Sequence, residues 1–171
     1  GKQDLGRRGG TENLLGIIAL GAAAAAIEPE AWSERVRPLR DQLEAEIVRK
    51  IPGVLVNGAT SPRVANTLNL SFEGMKTDGL VMALDLDGYS VSAGSACSSG
   101  ILEPSAVLLA MGRTVAQAKS SVRISLPDVM PWHILAGFVD SLERAVVRFR
   151  GMGALLKIES APKTREVFAP L

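Results

Sequence analysis

Two strictly alternating runs stand out along this 171-residue chain. Within Val64–Phe72, Leu68, Leu70 and Phe72 alternate with Thr67, Asn69 and Ser71. Within Ser121–Leu126, Val122, Ile124 and Leu126 alternate with Ser121, Arg123 and Ser125. A period of two is that of a strand with one face buried and one face polar. Two other stretches repeat at steps of three and four. Trp32, Val36, Leu39, Leu43 and Ile47 predict a helix from about Glu30 to Lys50, with Pro38 kinking or splitting it. Leu135, Phe138, Leu142, Ala145 and Phe149 predict another from about Pro131 to Arg150, ended by Gly151.

Shorter elements fill the intervals. Val54–Val56 before Asn57-Gly58 reads as a short strand, Thr77–Leu84 as a short helix, and Asp87-Gly88 as the turn after it. Tyr89–Ala93 reads as a strand. Pro104 suits the first turn of a helix carrying Val107, Leu108 and Met111 and closed by Gly112. Near the N-terminus, Arg7-Arg8 and the run Leu14–Ala26 imitate a secretory signal, but Glu12 interrupts the charged region. The uncharged stretch from Asn13 to Ile27 is also too short to span a bilayer. A buried, Ala-rich helix opening at Thr11 as N-cap is the preferred reading. Strands interleaved with helices predict an α+β fold, a small antiparallel or mixed sheet covered by helices. The expected organisation is a linking helix over 1–27, a small domain over 28–150 and an extension over 151–171.

Composition narrows the function. The net charge of +1 implies no general attraction to nucleic acid or to an anionic membrane. One cysteine excludes an internal disulfide and fits a reducing, cytoplasmic setting. One histidine and one cysteine cannot assemble an ordinary zinc site, so no metal is expected. A 47% share of hydrophobic residues points to a surface covered by another domain or subunit.

The single cysteine, Cys97, sits in Gly94-Ser95-Ala96-Cys97-Ser98-Ser99-Gly100. A lone cysteine is more often a small buried hydrophobe than a nucleophile. Here its neighbours are glycine, serine and alanine, which favour an exposed loop over a core segment. No charge lies near it in sequence to lower its thiol pKa. His133, at the start of the last helix, reads as a surface or capping residue.

Several motifs in order carry a family resemblance: Gly6-Arg7-Arg8-Gly9-Gly10-Thr11-Glu12-Asn13, Asn66-Thr67-Leu68-Asn69-Leu70-Ser71-Phe72, the cysteine loop from Ser92 to Gly100, Glu103-Pro104-Ser105 through Gly112, and Ser121-Val122-Arg123-Ile124-Ser125. Together they resemble the C-terminal half of a cysteine desulfurase of the NifS and IscS type, a class V aminotransferase relative. The resemblance covers the chain from Gly6 to about Arg150 and implies the small domain of a fold type I pyridoxal-phosphate enzyme. Such an enzyme converts L-cysteine to L-alanine and carries the sulfur as a persulfide. The resemblance makes Cys97 the nucleophile and Arg123 the ligand of the substrate carboxylate, where the bare sequence offers an ordinary surface arginine. Thr11 becomes a ligand of the pyridoxal-phosphate phosphate group, with a plain N-cap as the alternative of the same geometry.

The implied partners are L-cysteine, a second copy of the chain, and a sulfur-acceptor or scaffold protein of iron–sulfur cluster assembly or thiolation. Two departures stand out. No lysine of this chain matches the family's cofactor lysine, so the chain is not expected to turn over cysteine alone. Ser125-Leu126-Pro127-Asp128 also differs from the family's Ser-Leu-Gly turn. Another class V lyase and a non-enzymatic sulfur-accepting or interaction module stay open.

Overall fold

In the computed structural model, residues 1–159 are described except positions 2, 76 and 94–103, with backbone alone for 153–159. The chain divides into two units, Gly1–Trp32 and Ser33–Leu171. The first holds a 3-10 turn at Asp4–Gly6 and helix α1, Leu14–Ala26. Asn13, not Thr11, is the N-cap: its side chain accepts from the Gly16 backbone N–H at 3.1 Å. Asparagine ranks with the best capping residues, and it lies next to the first helical residue, whereas Thr11 is two positions too early. The expected burial of α1 is not found, for none of its residues is buried.

Helix α2, Pro29–Lys50, is continuous through Pro38. Proline removes one backbone donor, and the carbonyl of Glu34 loses its partner. Glu34, Arg35, Arg37 and Pro38 all lie on the exposed side, where that carbonyl is open to solvent. The inner side buries Val36, Leu43 and Ile47 as expected. It also buries Arg40, whose guanidinium donates to Asp41 at 2.8 Å and to the Val64 carbonyl at 2.9 Å.

The sheet comprises β1 (Val54–Val56), β2 (Thr67–Phe72), β3 (Ser92–Ala93) and β4 (Ser121–Ser125) in the order β1-β2-β4-β3, with every pair antiparallel. Leu70 faces Val122 and Leu68 faces Ile124 across the central pair. The apolar positions of both alternating runs therefore share one face. Leu68, Leu70, Phe72 and Val122 are fully buried there, with Leu80 and Leu84 of α3 (Thr77–Leu86) and Val139, Leu142 and Val146 of α6 (Trp132–Glu159). Tyr89 does not join the sheet. Its ring instead meets Phe138 edge-on, with centroids 5.4 Å apart.

Between the cysteine loop and β4 lie α4 (Ala106–Ala110) and α5 (Val115–Lys119). Gly112 closes α4 with a φ of 82°, as its sequence position predicts. Helix α5 went unanticipated, although Thr114 and Gln117 form a full capping box, a signal present in the sequence. Gly151 does not end α6, which runs on to Glu159. A glycine costs a helix only about 1 kcal/mol, and the next proline, Pro162, lies beyond the end of α6.

Two carboxylates tie α6 to its neighbours. Asp87 accepts from the Ser141 hydroxyl and from Arg144 at 3.3 Å, and these contacts hold its carboxyl below the usual range. The hydrogen bond from Lys50 at 2.5 Å does the same for Asp140. A depressed carboxyl adds stability above its unfolded pKa, near 4, and that stability is lost as pH falls through the folded value. Thermal stability should drop below about pH 4, and the Asp87→Asn/Asp140→Asn variant should show a shallower acid dependence with a lower midpoint at neutral pH. Neighbouring positions of α6 should differ sharply in urea denaturation. Leu142→Ala should cost about 2–5 kcal/mol, while exposed Val147→Ala stays within about 0.5 kcal/mol.

Candidate functional site

The polar face of the sheet carries a central cross-strand row. Asn69 on β2 lies opposite Arg123 on β4, and Arg123 lies opposite Ser92 on β3. Asn57, immediately after β1, extends the row by donating its backbone N–H to the Asn69 carbonyl at 2.8 Å. The alternation that buries Val122 and Ile124 thus leaves Arg123 exposed on the opposite face. Its guanidinium donates to Ser92 Oγ at 3.3 Å.

A cavity of about 430 Å³ opens on this face. Asn57, Asn69 and Arg123 supply polar lining, and Val107, Leu108 and Met111 on and just after α4 supply an apolar wall. Arg63 also lines it, but Glu44 takes that guanidinium in a two-pronged pair at 2.7 and 3.3 Å. No carboxylate lines the cavity among the described residues, and Arg123 makes no ion pair among them. A planar, permanently charged fork without a counter-ion, beside an apolar wall, suits a small ligand bearing a carboxylate.

Beneath the cavity runs a hydrogen-bonded chain that sequence reasoning missed. Arg113, just past Gly112, donates to Asn57 Oδ1 at 2.6 Å and to the Val56 carbonyl at 3.0 Å. Asn57, only 4% exposed, donates through Nδ2 to Asn69 Oδ1 at 2.6 Å and to Ser71 Oγ at 2.9 Å. In sequence Asn57 only follows a short strand; the register that makes it a buried link depends on strands far apart in the chain.

The other two candidate residues are placed differently. Thr11 is exposed in the first unit, between Gly10 with a φ of 91° and the Asn13 cap. Cys97 lies outside the described residues. His133 is exposed on the first turn of α6, as a surface histidine should be.

The chain belongs to the aminotransferase class-V family, whose model matches residues 2–130. Within that family its relatives are cysteine desulfurases. It is 41% identical to a cysteine desulfurase of Klebsiella pneumoniae over all of this chain and 43% of the relative. It is 39% identical to the cysteine desulfurase IscS of Dictyoglomus turgidum, over 88% of this chain and 39% of that one. A NifS-like protein from Rickettsia africae superposes with a TM-score of 0.69 at 28% identity, covering 85% of this chain and 38% of the other. The chain spans about two-fifths of the length of the curated relatives it matches.

Members of this family depend on pyridoxal phosphate, and the resemblance assigns Thr11 to its phosphate group. Thr11 stands two residues before the Asn13 cap of α1. Arg8 is partly engaged there, with Glu12 at 3.4 Å and the Gly10 carbonyl at 3.2 Å. Among the described lysines, Lys50 is committed to Asp140 and Glu46.

Because Arg123 is exposed on β4, the fold should not depend on its side chain. Arg123→Leu should leave unfolding free energy within about 0.5 kcal/mol of the wild type in urea denaturation. A larger loss would make it a structural residue.

Proposed function

We propose that this chain contributes the sulfur-accepting cysteine and the substrate-carboxylate arginine to a cysteine desulfurase reaction, L-cysteine plus a protein thiol giving L-alanine plus a protein persulfide. The observation that carries this reading is the Arg123 guanidinium, without an ion pair among the described residues, at a cavity with an apolar wall. Its fork takes the amino-acid carboxylate, and Ser92 holds the guanidinium from the other side. The wall from α4 excludes water on one flank and thereby strengthens the charge pairing. Pyridoxal phosphate supplies the electron sink for carbon–sulfur cleavage when bound, and Thr11 is the residue assigned to its phosphate.

Cys97 provides the acceptor. Its thiolate sulfur forms the new sulfur–sulfur bond as the substrate's carbon–sulfur bond breaks. The electron pair of that bond stays with the carbon fragment, which is protonated and leaves as alanine. Small residues on both sides of Cys97 suit a sulfur carrier that travels to a second protein.

The lysine that holds the cofactor comes from elsewhere, so the chain acts together with further polypeptide. A second copy and a sulfur acceptor of iron–sulfur or thiolation chemistry are the partners this reading calls for. Support for a covering partner comes from α1, whose Leu14, Leu15 and Leu20 are 64%, 81% and 72% exposed. A free thiol that must cycle fits a cytoplasmic location.

Intact mass of the chain after incubation with pyridoxal phosphate and L-cysteine tests the reading, beside a Cys97→Ala control. Adding a full-length desulfurase stripped of its own loop cysteine should place one extra sulfur on the wild type and none on the control. Without that helper no sulfur should be gained. Sulfur gained by the chain alone would overturn the incomplete cofactor site, and no gain in either condition would overturn the acceptor role.

A further inference from the structure

Arginine can only donate hydrogen bonds, and that fact orients the whole chain of amides beneath the cavity. Arg113 Nε points at Asn57, so the atom it meets at 2.6 Å must be the carbonyl oxygen. The Asn57 amide is then fixed with Nδ2 toward β2, where it donates to Asn69 at 2.6 Å and Ser71 at 2.9 Å. The Asn69 oxygen is thereby consumed, and the group left over from that bond is its Nδ2 donor. Asn69 lines the cavity directly opposite Arg123 on the adjoining strand. Side chains directly opposite on one face of an antiparallel pair lie about 5 Å apart, close enough for both to reach one carboxylate.

We infer that Asn69 is a second donor to the ligand carboxylate beside Arg123, and that Arg113, acting through Asn57, is the positioning residue that sets its polarity. The inference rests on the reading of Arg123 as the carboxylate ligand and extends it to three residues that this reading leaves unused. Were the amides reversed, Asn69 would present an oxygen to the cavity and repel the carboxylate. Arg113 also joins the turn after α4 to the end of β1. The same side chain therefore links the apolar wall to the polar row.

The test is a titration of the 171-residue chain with L-cysteine, followed through the Arg123 Nε–H and Asn69 side-chain amide resonances. In the wild type both should move with one half-point. Asn57→Asp keeps an acceptor for Arg113 as a charge-assisted pair but removes the donor to Asn69, so the fold is retained while the amide can reverse. A merely structural role predicts unchanged affinity in this variant. The proposed role predicts affinity weakened by roughly ten-fold, the scale of a lost hydrogen bond to a charged group. Asn69→Leu should weaken binding by a similar factor, and Arg123→Leu should abolish it.

Loss of binding in Arg123→Leu with full affinity in both asparagine variants overturns the inference and leaves the Arg123 reading standing. Unchanged binding in Arg123→Leu, or no saturable shift in the wild type, overturns both.

Discussion

The pairing of β2 with β4 is the constraint on which the rest of the second unit depends. Its register sets Leu70 against Val122 and Asn69 against Arg123. Because strand side chains alternate strictly, a slip of one residue would invert one strand. Arg123 would then enter the core and Val122 would face the cavity. Burial of four large apolar side chains on one face makes that slip costly. The hydrophobic effect, acting on the back of the sheet, is therefore what holds the guanidinium on the front.

Several arginines of this unit serve the backbone or a neighbouring acid. Arg40 spans Asp41 and the Val64 carbonyl, and Arg63 grips Glu44. Arg150 donates to the carbonyls of Pro52 and Glu73 at 2.6 and 3.0 Å and thereby fastens α6 to both ends of the β1–β2 hairpin. Arg113 bonds Asn57 and Val56. Among the described residues, Arg123 differs in meeting only the Ser92 hydroxyl. The difference is one of partners, not of residue type.

The first unit follows another logic. Helix α1 is apolar on all sides, a composition ordinarily matched by burial, yet none of its residues is buried. The chain spans about two-fifths of the length of its curated relatives, and the exposed apolar surface of α1 is what supports the proposed covering partner. The helix still forms because alanine and leucine favour it and Asn13 satisfies a free N–H at its start.

The sequence by itself determined what short-range periodicity encodes: both alternating strands, the buried stripes of α2 and α6, and the sorting of Arg123 onto a polar face. The order of its motifs also marked the family and singled out Cys97, Arg123 and Thr11. Local signals misled where context overrode them. Pro38 was absorbed on a hydrated helix face, Gly151 was carried through by its helix, and Thr11 yielded the cap to Asn13. Tertiary structure alone decided that Asn57, Asn69, Arg123 and Ser92 stand in one row, and that Arg113 reaches its end. Those residues lie on separate elements, and their union depends on strand register and on donor-to-acceptor direction, neither of which a linear pattern of polarity contains.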